Sequence, residues 1–91
     1  MTATINPLER VFFVGGEVKQ PGRQVYTGPI TVTKAIQSAG DFTDFAAKTK
    51  VTVTRANGQK VTVNCKKATT ESRYDVAVYP GDKIHVPRTW L

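Results

Sequence analysis

The 91-residue chain contains only one cysteine and one histidine. A single thiol cannot form an internal disulfide, and one Cys with one His falls short of the ligand set of a protein zinc site. A nucleophilic pair of Cys65 and His85 would need a third group that orients the base, and the sequence shows none. It also has neither a glycine-rich loop that opens a helix nor paired carboxylates in a predicted cleft. We therefore expect a non-catalytic protein with no cofactor and no metal.

Long hydrophobic runs and acidic side chains are also scarce. No apolar run exceeds four residues, which is too short to span a membrane, and the start MTATINPLER does not have the pattern of a signal peptide. Seven acidic side chains stand against 13 Lys and Arg, and the net charge is +6. The basic excess lies in residues 46–91, which predicts one basic face toward an anionic partner or an acidic neighbouring subunit. Lysines that only protect exposed strands would give the same pattern.

The first half of the chain predicts two strands and a helix. The run VFFV begins a strand over residues 11–18, and its lack of a polar phase predicts a central strand buried on both faces. A turn at Pro21–Gly22 leads to a second strand over residues 23–27. Apolar residues recur with helical spacing over residues 31–39, where Thr31 is the expected N-cap and a glycine follows the last turn. Phe42 and Phe45 are expected to fold back onto the core.

The second half predicts strands alone. Residues 50–55 and 59–65 alternate around an Asn–Gly turn, a strong hairpin signal, and the alternation places Cys65 on the buried face. A polar stretch over residues 66–75 leads to a last strand pair, residues 76–79 and 83–86, joined through Pro80–Gly81–Asp82. In that last strand His85 alternates with apolar neighbours, so it lies with Lys83 on an outward basic face.

The order β-β-α-β-β-β predicts the fold class. One helix packed across a mixed sheet of four to five strands is the β-grasp arrangement, an α+β fold. We expect residues 1–10 to form a polar lead-in and residues 11–91 to form the single domain.

Four segments carry a resemblance to a known family over residues 11–91: VFFVGGEVKQPG, TVTKAIQSAGDFTDFA, VTVTRANGQ and VAVYPGDKIHVPRTWL. In this order and spacing the chain resembles the SLBB domain, the soluble ligand-binding β-grasp module of bacterial polysaccharide export proteins. The resemblance implies assembly with other domains into a periplasmic homo-oligomeric ring beneath an outer-membrane pore. It also implies contact with the translocating polysaccharide.

Six side chains are candidates for ligand contact. Three aromatic residues could stack on sugar faces, and three cationic residues could pair with acidic groups: Tyr74, Tyr79, Trp90, Arg55, Lys60 and Arg73. A strand-surface or protein-interface role is favoured for each of them, because exposed aromatics and arginines commonly serve protein contacts, and Trp90 could equally pack on its own sheet or anchor a neighbouring domain.

Three functions stay open from the sequence. They are a polysaccharide-export module, a purely structural interaction module without ligand, and a basic nucleic-acid binder. The basic strands have no interleaved aromatics for base stacking, so we expect no nucleic acid.

Overall fold

The elements of the structure, a computed structural model that describes residues 10–89, follow the predicted order with short additions. The strands are β1 (Val11–Gly16), β2 (Gly22–Val25), β3 (Ile30–Thr31), β4 (Val51–Thr54), β5 (Lys60–Val63), β6 (Ala77–Val78) and β7 (Lys83–Val86). The helices are α1 (Val32–Ser38) and the single turn α2 (Cys65–Ala68), and 3₁₀ turns cover Lys48–Lys50 and Ser72–Tyr74.

Five strands form one mixed sheet in the order β2-β1-β7-β4-β5. β1 and β7 are parallel, and the other neighbours are antiparallel. α1 covers one face of this sheet, and the residues between them form the core: Phe12, Val14, Val18, Val32, Ala35, Ile36, Val51, Val53, Val63, Ile84 and Val86. This arrangement confirms the predicted α+β fold of the β-grasp class, with a five-stranded sheet and one main helix.

The first strand is buried on one face only. Phe12 and Val14 lie in the core, whereas Phe13 between them is 39% exposed. The prediction of a strand buried on both faces is therefore wrong, because the helices cover a single face of the sheet. β1 is an interior strand, but the middle position belongs to β7, which pairs with β1 on one side and β4 on the other.

The helix begins at the predicted place but is capped from a distant part of the chain. Thr31 is the N-cap by position, and its side chain makes no capping hydrogen bond. Instead, the Asp75 carboxylate accepts hydrogen bonds from the Thr33 backbone N–H (3.2 Å) and the Thr33 hydroxyl (2.5 Å). The Val32 N–H donates to the backbone carbonyl of Val76 (2.8 Å). Two free donors of the first turn are thus satisfied by the segment that precedes β6.

The predicted pairing of the last two strands with each other is wrong, although both strands form. β6 pairs with β3 in a separate two-stranded ladder, and β7 enters the main sheet instead. The turn between β6 and β7 still forms, because the buried Asp82 carboxylate accepts a hydrogen bond from the Tyr79 N–H (2.7 Å). The strand predicted over residues 59–65 ends at Val63, where Asn64 caps α2 by accepting from the Lys67 N–H (3.1 Å). Cys65 is buried as predicted, although it lies on a helix.

The loop before β4 folds back only in part. Phe42 packs against the core, as expected. Phe45 is 55% exposed, so its predicted burial is wrong. Its ring lies 4.7 Å from the Arg88 guanidinium carbon, a cation–π contact at the surface.

Candidate functional site

The structure brings two of the predicted ligand residues, Arg55 and Tyr79, together in an internal clamp. Arg55 Nη1 donates to the buried Asp82 carboxylate and to the Ala77 carbonyl (3.1 Å). The Arg55 guanidinium also lies 5.0 Å from the centre of the Tyr79 ring. These contacts hold the β6–β7 turn against the end of β4. The guanidinium is therefore committed to a buried carboxylate and is poorly placed to bind a ligand.

Arg73 and Tyr74 form a second, separate group. The Arg73 guanidinium carbon lies 5.0 Å from the Tyr74 ring centre and the Lys67 ammonium 5.2 Å from it. Arg73 also pairs with Glu71 (3.1 Å), and both of those side chains are exposed. Two cations thus lie over the ring on which a sugar was expected to stack.

The remaining predicted residues are elsewhere. Lys60 is exposed on β5, a strand at the edge of the sheet, where it pairs in register with Thr54. Trp90 lies outside the described residues. The predicted set therefore does not form one site within residues 10–89.

A different surface has the composition of a binding face. The side chains that alternate with the core residues along the five strands point away from the helices, and we call this surface the open face. Its members are Val11, Phe13, Gly15, Arg23, Val25, Thr52, Thr54, Lys60, Thr62, Lys83 and His85. Four of them are Arg, Lys or His, and none is Asp or Glu. The outward placement of Lys83 and His85, expected from the alternation in β7, is confirmed by their exposure.

An open groove of about 700 Å³ crosses the centre of this face. Gly15 is one of its lining residues, and the space above its backbone is open, since a Cβ at that position would meet no atom within 4 Å. The exposed ring of Phe13 stands on one side, and Thr54, Lys83 and His85 line the other strands of the groove. An aromatic ring, a hydroxyl, an ammonium and an imidazole therefore converge on one concave surface. This is the mixture of apolar and hydrogen-bonding groups that small-molecule sites use.

Sequence reasoning missed the aromatic member of this groove. The unbroken run VFFV indicated burial of both Phe12 and Phe13, so neither was considered for binding. The alternation across the paired strands carried the signal, since Phe13 pairs with Lys83 and Gly15 pairs with His85. Because Lys83 and His85 were already expected to point outward, a parallel register between β1 and β7 would have placed Phe13 beside them.

The single cysteine of the chain is buried, and its environment holds the thiol in the protonated form. Burial, with the Asp75 charge as a smaller cause, raises the pKa of the Cys65 thiol to about 12. Cys65 therefore stays protonated, and a protonated thiol is a poor nucleophile. Across residues 10–89 no three His, Cys, Asp or Glu side chains are grouped as metal ligands would be. None of the helices within that range is long and apolar enough to cross a membrane.

Comparison with protein families identifies the fold. The family model of the SLBB domain matches residues 10–86, a range that includes the whole main sheet, α1 and every residue of the groove. SLBB domains are binding modules associated with polysaccharide export, generally without catalytic activity, and they occur in periplasmic export proteins. The resemblance inferred from the four sequence segments is confirmed, and the chain belongs to the SLBB domain family.

Proposed function

We propose that this chain is a non-catalytic module of a bacterial capsule or exopolysaccharide export protein that contacts the translocating polysaccharide with its open face. The observation that carries the proposal is the open face itself, which has basic side chains, hydroxyls and an exposed aromatic ring but no carboxylate. An acidic polysaccharide supplies the complementary groups. Its carboxylates pair with the Lys83 ammonium and accept a hydrogen bond from the His85 imidazole, and the C–H face of a sugar packs on Phe13.

The exposure of these groups supports weak contact, which suits a polymer that must move. Solvent-exposed ion pairs contribute only about 0–1 kcal/mol each. We therefore expect a dissociation constant on the order of 1 mM for one module and a short oligosaccharide. A ring of modules would hold the polymer by repeated contacts while each single contact breaks readily.

Assembly into a ring would use other surfaces of the same module. Among residues 10–89, β2 and β5 are the edge strands of the main sheet, and no other described strand pairs with their outer backbone groups. Val25 on β2 is 53% exposed, an apolar side chain of the kind that a protein contact covers. These features support contacts with further copies or with other domains of an export protein in the cell envelope.

A purely structural interaction module is the second candidate, and the same exposed edge favours it. In that case the open face would be covered by protein and would bind no glycan. Nucleic acid is disfavoured because Phe13 is the only aromatic side chain among the outward residues of the described strands, whereas single-strand binders stack successive bases on several rings.

Replacement of the cationic pair tests the proposed contact. We expect Lys83→Ser with His85→Ser to abolish measurable binding of an oligouronate, while Lys19→Ser with Lys34→Ser leaves it within about twofold, because those exposed lysines lie outside the open face. The affinity is measured by titration followed by NMR at near-physiological salt. Equal binding by both double variants would contradict the proposal, and an absence of binding by the unmodified protein would favour the structural module.

A further inference from the structure

A second cavity, of about 600 Å³, lies at the end of the sheet where β7 finishes and β4 begins. We call it the end pocket. Four cationic side chains line it together with two threonines and a small apolar wall: Lys48, Lys50, Lys66, Arg88, Thr49, Thr89, Ala46, Ala47 and Pro87. Among residues 10–89, no acidic side chain lines the cavity. None of these residues was selected from the sequence, and none belongs to the groove of the open face.

The cations come from three separate parts of the chain that the fold holds together. Lys48 and Lys50 lie on a 3₁₀ turn, and Lys66 lies on α2, whose neighbours Cys65 and Ala68 are buried in the core. The segment that carries Arg88 is fixed by two backbone hydrogen bonds, from the Ala47 N–H to the Pro87 carbonyl (2.8 Å) and from the Thr89 N–H to the Phe45 carbonyl (2.7 Å). The positive charges are therefore placed by the fold and not gathered by chance along one helix.

In the part of the chain that the structure describes, the lysines of the end pocket have no carboxylate partner. Within residues 10–89, neither Lys48, Lys50 nor Lys66 forms an ion pair with Asp or Glu. Lys48 lies 5.3 Å from the Phe42 ring centre, which positions its ammonium without neutralising it. Like charges held around one cavity repel one another, so an anion in that cavity would be attracted by all of them.

We propose that the end pocket binds a phosphate or diphosphate group. Several lysines around one cavity provide point charges from different directions, which suits a group with two or more negative charges and several acceptor oxygens. A single carboxylate would neutralise one of these charges and leave the rest opposed. The hydroxyls of Thr49 and Thr89 are further potential donors, and the volume admits a phosphate with part of the molecule attached to it. This site is independent of glycan binding on the open face.

The direct test is a titration with inorganic diphosphate, followed through the backbone amides of residues 46–50, 64–68 and 87–89. We expect saturable shifts there, and we expect Lys50→Glu with Lys66→Glu to weaken binding at least about tenfold. Lys19→Glu with Lys34→Glu makes the same change in net charge on exposed sites outside the pocket, and we expect it to weaken binding less than about threefold. Equal weakening by the two double variants would show attraction by overall charge alone and would overturn the proposal.

Two further probes identify the source of the group. Glucose 1-phosphate represents a phosphate carried by a sugar, and vesicles of phosphatidic acid, with phosphatidylcholine vesicles as the control, represent a lipid headgroup. Binding of either probe that is lost with Lys50→Glu and Lys66→Glu supports the phosphate site and names its source. Glucuronate that binds the end pocket as tightly as diphosphate would overturn the preference for phosphate. The open-face variant Lys83→Ser with His85→Ser should keep its affinity for diphosphate. Failure of the phosphate site can therefore be told apart from failure of glycan binding on the open face.

Discussion

Gly15 and Gly16 are neighbours in β1, yet they have opposite structural roles. Gly16 has a positive φ of 85°, and a Cβ there would lie 2.1 Å from the Val86 carbonyl oxygen. It is required where the chain leaves β1, because only glycine allows this backbone conformation and this approach to β7. Gly15 has open space at its Cβ position, and its lack of a side chain forms the floor of the groove.

Alanine at each of the two glycines tests this difference through the stability of the fold. We expect Gly16→Ala to lower the free energy of unfolding by about 3 kcal/mol or more, because the new methyl group clashes with backbone in a left-handed conformation. We expect Gly15→Ala to leave it unchanged or to raise it by up to about 1 kcal/mol, because alanine restricts the unfolded chain more than glycine does. Urea unfolding followed by circular dichroism measures both values. Equal stability of the two variants would contradict the role assigned to Gly16.

The buried Cys65 thiol makes stability depend on alkaline pH. Its pKa is about 12 in the folded protein, above its ordinary value of about 9. Between these values the folded state keeps the proton that the unfolded state releases, so the unfolded state binds fewer protons and stability falls as pH rises. We expect a slope of at most about 1.4 kcal/mol per pH unit above pH 9.

Denaturation at pH 8, 9 and 10, with Cys65→Ala as the comparison, measures this contribution. In the variant, the free energy of unfolding should fall less steeply with pH, because the contribution of the thiol is gone. All other ionisable groups are the same in both proteins, so the difference between the two slopes isolates Cys65. Alkylation gives a second reading, because the native thiol should resist iodoacetamide and react once urea unfolds the chain. Rapid alkylation of the folded protein at pH 8 would contradict the burial of this group.

The start of α1 depends on a carboxylate 42 residues away. Asp75 accepts from the Thr33 N–H, the Thr33 hydroxyl and the Val76 N–H, and it thereby joins the helix to β6. We expect Asp75→Ala to lower the free energy of unfolding by about 1–2 kcal/mol, as the loss of a helix cap does. Asp44→Ala, at an exposed loop position, should change it by less than about 0.5 kcal/mol. Chemical denaturation measures both, and equal values would show that Asp75 does not cap the helix.

Elements that carry a repeating pattern could be predicted, and short ones could not. The helix and the hairpin around Asn57–Gly58 follow from their periodicity and turn residues. The two-residue strand β3 and the four-residue helix α2 are too short to show any period and were not predicted, whereas β6 lies within the strand predicted over residues 76–79. The pairing of β7 with β1 and β4 depends on contacts between distant parts of the chain, which local patterns do not encode.

The same limit explains the outcome for the candidate site. The distribution of charge showed that residues 46–91 carry the basic excess. The alternation in β7 correctly predicted that Lys83 and His85 point outward. Arg55 was selected as a ligand residue because its neutralising partner, Asp82, is a long-range contact. Phe13 was missed because a run of apolar residues does not show which face of the sheet is left uncovered.

The module as a whole has two unlike faces, and the proposed function rests on that difference. α1 and the core lie on one side of the sheet, while the open face carries cations, hydroxyls and one exposed aromatic ring around a groove. Covering that face with acidic polymer would neutralise its charge, and salt should therefore weaken the contact.

The central claim is that the open face binds acidic polysaccharide, and an NMR titration of isotope-labelled protein with an acidic and a neutral oligosaccharide tests it most directly. We predict that the acidic sugar shifts the backbone amides of Phe13, Gly15, Thr54, Lys83 and His85 at near-physiological salt. The neutral sugar should produce smaller shifts at the same residues, and the amides around Arg73 and Tyr74 should move with neither. An acidic oligosaccharide that leaves the groove amides unmoved, or that shifts only residues outside the open face, would contradict the account.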